Sequence, residues 1–143
     1  FGPEIIEPES GELKRARLAA IVFRDPRQRE ILEAILHPPI HSRWVRQLED
    51  WAGAGAAFGV VAIPLLFEKG YQSEFDVVVS AACTTATQLQ RLLGRGWTPE
   101  QIRLRLESQM SCREKLERSD YVVWTEGSLE IHREQWRRLL VRF

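Results

Sequence analysis

The amino-acid sequence predicts an α/β fold with a parallel sheet, because short apolar runs alternate with segments of helical periodicity. The runs are rich in β-branched residues, a pattern typical of strands buried on both faces. They occupy residues 60–63, 75–79 and 120–124. Pro64 lacks an N–H group for the sheet, so the first strand is expected to end just before it.

Three helices are predicted ahead of the first strand. Residues 12–23 place apolar and basic side chains on different faces of a helix. Asp25 followed by Pro26 is typical of a helix start. We expect that second helix to stop at residues 37–39, since a residue before proline is pushed out of helical geometry. A third helix is expected over residues 39–52, roughly to the next glycine.

Capping residues predict three more helices among and after the later strands. Thr84, Thr98 and Ser128 each stand where a helix would begin. Gln101 completes a capping box with Thr98. We expect the helix after Thr98 to reach about Ser111, followed by a short turn and the third strand.

The chain is expected to form one domain with two parts. Its length suits a single domain with a real core. The glycine-rich stretch at residues 53–59 is the only plausible boundary. It separates a helical part, residues 1–58, from a strand and helix core, residues 59–143.

The composition excludes several classes of function. Twenty basic and twenty acidic residues balance, so no bulk attraction to nucleic acid or to an anionic membrane is expected. The uncharged stretch over residues 52–67 falls short of the roughly 20 apolar residues of a spanning helix. No secretory signal is visible. Cys83 and Cys112 form no C-x-x-C, which favours reduced thiols in the cytoplasm.

Two patterns are candidates for binding. Residues 64–68 follow the first strand, and ligands collect beyond the carboxyl ends of parallel strands. Gln88, Arg91 and Arg95 share one helical face and could grip phosphate oxygens. From the residues alone, a loop that merely closes the core and an ordinary solvated basic face are the favoured interpretations of these two patterns. His37 at a helix end could face a cleft, or it could simply pack.

Other catalytic patterns are missing from the sequence. It contains no G-x-x-x-x-G-K-[ST] phosphate loop, and residues 53–57 lack its lysine and follow a helix. We find no paired carboxylates, no Ser-His-Asp or Cys-His arrangement, and no metal-ligand spacing.

Taken in order, several segments resemble one family, the dephospho-CoA kinases of the P-loop kinase group. The resemblance covers nearly the whole chain, and its His-Pro and Pro-Leu-Leu-Phe-Glu segments are specific. It rests on residues 1–2, 5–6, 11–16, 21–23, 36–40, 63–68, 75–80, 87–92, Arg95, Gln109, Lys115 and 127–130.

The resemblance implies a P-loop kinase-like three-layer fold with a parallel sheet, a helical substrate-binding part and a small lid. It implies transfer of the γ-phosphoryl group of ATP, with Mg²⁺, to the ribose 3′-hydroxyl of dephospho-CoA. By position, eight residues would line the acceptor side: Arg15, Leu18, His37, Pro38, Pro64, Leu65, Leu66 and Glu68. A lid over residues 91–118 would use Gln88, Arg91 and Arg95, with Arg113 as an addition.

The sequence departs from the family at two places. The family's first strand, phosphate loop and catalytic aspartate have no counterpart in these residues, so the catalytic residues are expected in an N-terminal segment absent from this chain. The family commonly has an Asp-Asn pair where this chain has residues 124–126, so the adenine contacts there are expected to differ.

We expect residues 1–143 alone to be inactive and to fold poorly, because the missing strand would leave sheet edges unpaired. Two alternative functions remain open on the sequence. One is a non-catalytic binding or adaptor protein on a degenerate P-loop kinase scaffold. The other is a different small-molecule P-loop kinase.

Overall fold

The computed structural model describes residues 1–143, and it combines helices with a parallel sheet, which confirms the predicted α/β class. Short 3₁₀ helices cover Pro3–Ile5 and Tyr71–Glu74. The strands are β1, Val79–Ala82, and β2, Tyr121–Trp124. The helices are α1, Arg15–Arg24; α2, Pro26–Gly53; α3, Thr85–Gly94; α4, Pro99–Glu107; α5, Cys112–Glu117; and α6, Leu129–Leu140. None of these helices combines the length and the apolar character needed to cross a bilayer.

The chain divides into two compact units, Phe1–Val61 and Ala62–Phe143. In the first unit, α1 packs on α2. Its buried centre consists of Ile5, Leu18 and Val22. These side chains are brought together because positions 18 and 22 lie one turn apart on the apolar face of α1.

Helix α2 runs through Pro38 and Pro39, so the prediction that a helix stops there and another begins was wrong. Proline removes one N–H bond to the carbonyl four residues earlier, but its fixed φ is itself helical. More than two turns of helix flank the pair on each side, so the helix continues across the missing N–H donors. The tendency of residues before proline to leave helical geometry is therefore overridden here.

The predicted strand at residues 60–63 is also wrong. The segment pairs with no other strand, and 61% of the Val60 side chain is exposed. Its β-branched residues favour a strand, but a strand exists only when a neighbour supplies ladder hydrogen bonds. The chain instead continues into turns over residues 64–70.

Strands β1 and β2 form a parallel pair in which Val79 lies opposite Tyr121 and Ala82 opposite Trp124. The third predicted strand is confirmed as β2, whereas the second begins at Val79 and not at residue 75. Residues 75–78 fall outside the ladder, although the Asp120 carboxylate accepts a 2.8 Å bond from the Val78 N–H.

The other edge of β2 is occupied by a side chain. Gln135 of α6 donates its amide N–H to the Trp124 carbonyl and accepts from the Trp124 N–H, both at 2.8 Å. Since Tyr121 and Thr125 direct their N–H groups to β1, the polar backbone atoms of Trp124 face the opposite edge. The amide of Gln135 thus replaces a neighbouring strand at that edge.

The predicted helix caps are confirmed. Thr84, Thr98 and Ser128 each accept a bond from a backbone N–H in the first turn of α3, α4 and α6, and Thr98 forms its capping box with Gln101. Helix α4 ends earlier than predicted, at Glu107. A second capping box, Ser111 with its glutamate three residues later, starts α5 where only a turn was expected.

Candidate functional site

The carboxyl ends of β1 and β2 meet at one edge of the sheet, because the strands are parallel. Thr84 lies just beyond β1, and Thr125 and Glu126 follow β2 directly. The Thr125 N–H and hydroxyl both donate to the Ala82 carbonyl, at 2.7 and 2.9 Å. The two loops that leave this edge are therefore fastened to each other.

Glu126 joins the loop after β2 to the start of α3. Its Oε1 accepts from the Thr84 N–H at 2.9 Å and from the Thr84 hydroxyl at 2.5 Å, while Oε2 accepts from the Trp124 indole at 3.1 Å. Hydrogen bonds to the carboxylate favour its ionised form. The hydrogen bond from the Thr84 side chain has the largest effect and that from Thr87 the next largest, and together with the others they lower the pKa of Glu126 to about 2.

Arg91 makes a second link between α3 and the same loop. Its guanidinium donates to the Thr125 hydroxyl at 2.9 Å and to the Thr125 carbonyl at 2.6 Å. The side chain is exposed on its other side. A guanidinium has five N–H donors, so three remain for a ligand.

The other predicted lid residues differ in their surroundings. Gln88 is half-buried on α3, and Arg95 caps the carboxyl end of that helix with an exposed side chain that makes no hydrogen bond or ion pair. Arg113 lies on α5 and forms an exposed 2.8 Å ion pair with Glu117. The structure thus brings Arg91 to the carboxyl edge of the sheet, whereas Arg113 is engaged on its own helix.

A second polar cluster surrounds Glu68. Its Oε1 lies 2.8 Å from the Lys115 ammonium and accepts from the Met110 N–H at 2.9 Å. Lys115 also donates to the Pro64 carbonyl at 3.4 Å. The second carboxylate oxygen of Glu68 is buried without a hydrogen-bond partner. Within the acceptor-side set, Pro64 and Glu68 are therefore brought together by Lys115, and Leu65 and Leu66 lie half-buried in the turns between them.

The remaining acceptor-side residues belong to the first unit. Arg15 begins α1 with an exposed side chain, and Leu18 is buried in the core of that unit. His37 is half-buried and Pro38 is exposed in the middle of α2.

Sequence reasoning did not select Thr84, Thr125, Glu126 or Lys115 as site residues. Thr84 carried a visible cap signal, and residues 124–126 were noted only as a departure from the family. The Thr84 to Glu126 contact spans 42 positions, so no helical or strand periodicity could indicate it. A search for polar residues directly after each predicted strand would have found Thr125 and Glu126, but not Thr84, because the second strand was expected to end at residue 79.

The comparison with family models is decisive. Residues 1–130 match the model described as CoaE, dephospho-CoA kinase. The chain belongs to the dephospho-CoA kinase family. Curated dephospho-CoA kinases agree: the chain is 39% identical over 142 residues to one from Symbiobacterium thermophilum and 43% identical over 143 residues to one from Syntrophotalea carbinolica. These alignments cover 96% and 99% of the chain.

Solved structures confirm the predicted P-loop kinase-like α/β fold. A dephospho-CoA kinase from Campylobacter jejuni matches 98% of the chain and 70% of its own, with a TM-score of 0.64 and 26% identity. The crystal structure of TT1252 from Thermus thermophilus matches 99% of the chain and 72% of its own, with a TM-score of 0.74 and 29% identity.

The chain spans 59% of the length of the Symbiobacterium dephospho-CoA kinase and 67% of the Syntrophotalea one. No group of three His, Cys, Asp or Glu side chains in it is placed to hold a metal ion. The residues present therefore do not by themselves fit a Mg²⁺ site.

Proposed function

We propose that this chain is the acceptor-binding and lid portion of a cytoplasmic dephospho-CoA kinase. The reaction moves the γ-phosphoryl group of ATP to the ribose 3′-hydroxyl of dephospho-CoA, and it gives coenzyme A and ADP. Membership of the family supports the reaction. The assignment of this chain to the acceptor and lid roles rests on the placement of its polar residues.

The observation that carries the proposal is the position of α3. This helix starts at the carboxyl end of β1, and it carries Gln88, Arg91 and Arg95 from that edge outward. Arginine suits phosphate because its planar head offers several donors at once. We assign these three side chains to the phosphates of ATP, with Arg113 as an additional contact.

The role of these residues is positioning and charge stabilisation. Phosphoryl transfer spreads negative charge over the equatorial oxygens, so cations held in place around them lower the barrier. A lid that closes over the nucleotide also excludes water, which would otherwise compete with the ribose hydroxyl as acceptor. The Mg²⁺ that the reaction requires would come bound to ATP, and its charge would offset part of the phosphate charge.

The acceptor side is assigned to eight residues by their positions in the family pattern. The set comprises Arg15, Leu18, His37, Pro38, Pro64, Leu65, Leu66 and Glu68. Among them, Pro64 and Glu68 are held together by Lys115. Exposed Arg15 offers a cation for a phosphate of dephospho-CoA.

A second candidate function is a non-catalytic binding protein on the same scaffold. A third candidate, another small-molecule P-loop kinase, would show itself by preferring a nucleoside or a shikimate-like acceptor.

The test uses two proteins: residues 1–143, and an extended protein in which the upstream reading frame supplies a strand followed by G-x-x-x-x-G-K-[ST]. ADP release is followed with ATP, Mg²⁺ and dephospho-CoA in a coupled assay. We expect activity in the extended protein and none in residues 1–143. Binding of CoA species without activity in either protein would favour the binding protein, and activity of residues 1–143 would contradict the assignment of catalysis to another segment.

A further inference from the structure

Two consecutive residues after β2 hold the first two turns of α3 at both ends. Glu126 binds the N-cap, Thr84, and Thr125 binds Arg91. Thr84 and Arg91 are separated by roughly two helical turns, or about 10 Å. A helix held at one point can pivot, whereas one held at two points has a fixed direction.

The Glu126 contact is more than a helix cap. The Thr84 hydroxyl already caps α3 by accepting from the Thr87 N–H at 3.2 Å. The bonds from the Thr84 N–H and hydroxyl to Glu126 therefore connect two different elements, the start of α3 and the loop that follows β2.

Glu126 is also not one half of a surface ion pair. Its carboxylate accepts from the Thr84 N–H, the Thr84 hydroxyl and the Trp124 indole, and it forms no salt bridge with a basic side chain. Directional hydrogen bonds to groups of fixed position restrain geometry better than a mobile exposed ion pair does.

The backbone N–H of Thr125 donates to the Ala82 carbonyl of β1, so these contacts also fix α3 relative to the sheet. The guanidinium of Arg91 uses two N–H groups on Thr125, which orients the plane of its remaining donors. A side chain oriented before the ligand arrives loses less entropy on binding.

We propose that Glu126 is a positioning residue that fixes α3 against the end of β2 and so sets the place of Gln88 and Arg91 for the nucleotide phosphates. This inference rests on the proposed function, which assigns those two side chains to ATP. Its role is exerted through α3, since its carboxylate oxygens are engaged by Thr84 and Trp124.

The kinetic test compares Glu126→Ala and Glu126→Gln with the wild type in the extended protein. We expect Glu126→Ala to raise KM for ATP about tenfold, the size of effect typical of a lost hydrogen bond to a charged group. Its kcat should also fall, because Arg91 would be placed less well around the transferring phosphoryl group, whereas its KM for dephospho-CoA should change less than about twofold. Glu126→Gln keeps an acceptor oxygen and should recover part of the loss.

The matched control is Glu134→Ala. Glu134 is a carboxylate of α6 that pairs only with Arg137 and Arg138, and its removal should leave both KM values unchanged. An equal rise in both KM values for Glu126→Ala, or no rise in KM for ATP, would overturn the inference.

A second measurement separates this inference from the proposed function. Amide hydrogen exchange in the extended protein, without substrates, should become faster at residues 85–91 in Glu126→Ala, with no matching change in α6. Unchanged exchange at residues 85–91 would overturn the positioning role even in an active enzyme. If the wild type lacks kinase activity but Glu126→Ala still speeds exchange at residues 85–91, the proposed function alone is overturned.

Discussion

The charge of Glu68 is stabilised by Lys115 and by a backbone N–H. Burial raises the pKa of its carboxyl, but the hydrogen bond from Lys115 and that from the Met110 N–H outweigh burial and hold the pKa below its ordinary value. Only 16% of the Glu68 side chain and 20% of the Lys115 side chain are exposed. Removing one partner from such a pair leaves an uncompensated charge away from water.

We therefore predict that Lys115→Met lowers the free energy of unfolding of the extended protein by about 1–3 kcal/mol at neutral pH. Because the folded pKa of Glu68 is depressed, this contribution is present above the unfolded value near 4.5 and is lost as the pH falls through the folded pKa. The measurement is urea unfolding at pH 7 and at successively lower pH. Arg113→Met, which breaks an exposed ion pair on the same helix, should have little effect. A difference between Lys115→Met and wild type that grows on acidification would contradict the prediction.

Glu126 gives a second prediction at the residue scale. Its pKa of about 2 lies below the ordinary value of 4.5, so its hydrogen bonds stabilise the folded state above pH 4.5 and are lost as the pH falls toward 2. In a carbon-13 NMR titration, its carboxyl should still be ionised at a pH where an ordinary glutamate is half protonated. Thr84→Val should move the midpoint back toward 4.5, and a wild-type midpoint near 4.5 would show that the Thr84 bonds are not formed.

The sequence predicts individual residues of the site to the extent that local spacing places them. The shared face of Gln88, Arg91 and Arg95 follows from helical periodicity, and the Thr84 cap follows from its position ahead of α3. The bond between Arg91 and Thr125 spans 34 positions and depends on how the strands lie side by side. Such contacts are set by tertiary packing, so local pattern does not reveal them.

At the scale of elements, α2 shows where a reliable local rule fails. Caps and periodicity predicted the beginnings of α3, α4 and α6 correctly because those signals act within one turn. The proline pair at positions 38 and 39 was expected to divide α2, but the turns on both sides outweigh the missing bonds. Residues 60–63 were expected to form a strand, and they lack a ladder partner. The length of the helix decides the outcome at the proline pair. Whether residues 60–63 form a strand is decided by neighbours that lie elsewhere in the sequence.

We predict that Pro39→Ala stabilises α2. Alanine restores an N–H that can donate to the Ile35 carbonyl, and proline in a helix interior costs up to about 3 kcal/mol relative to alanine. The free energy of unfolding should rise by about 1–3 kcal/mol in urea unfolding of the extended protein. Glu49→Ala, an exposed change in the same helix, serves as the control. A loss of stability in Pro39→Ala would mean that the pyrrolidine ring makes contacts that outweigh the restored bond.

At the scale of the whole molecule, the buried core is thin. The apolar residues with less than a tenth of their surface exposed are scattered over both units. None is fully buried, and Ile102, with 2% of its surface exposed, comes nearest. Large apolar side chains stand exposed on α2, including Ile31, Ile35 and Ile40. Exposed apolar surface of this kind favours association over a stable monomer.

We accordingly predict that residues 1–143 on their own unfold without a sharp transition and form mixed oligomers. The measurements are light scattering coupled to size-exclusion chromatography and a calorimetric thermal scan, each repeated on the extended protein. A monodisperse monomer of residues 1–143 with a cooperative transition would refute the prediction.

The Gln135 amide on β2 has a consequence for how the sheet can grow. An incoming strand on that side would have to break both bonds to Trp124 before forming any of its own. Strand β1 pairs with β2 on one side and with no strand on the other. A further strand next to β1 would therefore form its ladder without breaking these two bonds, whereas one next to β2 would first have to break them.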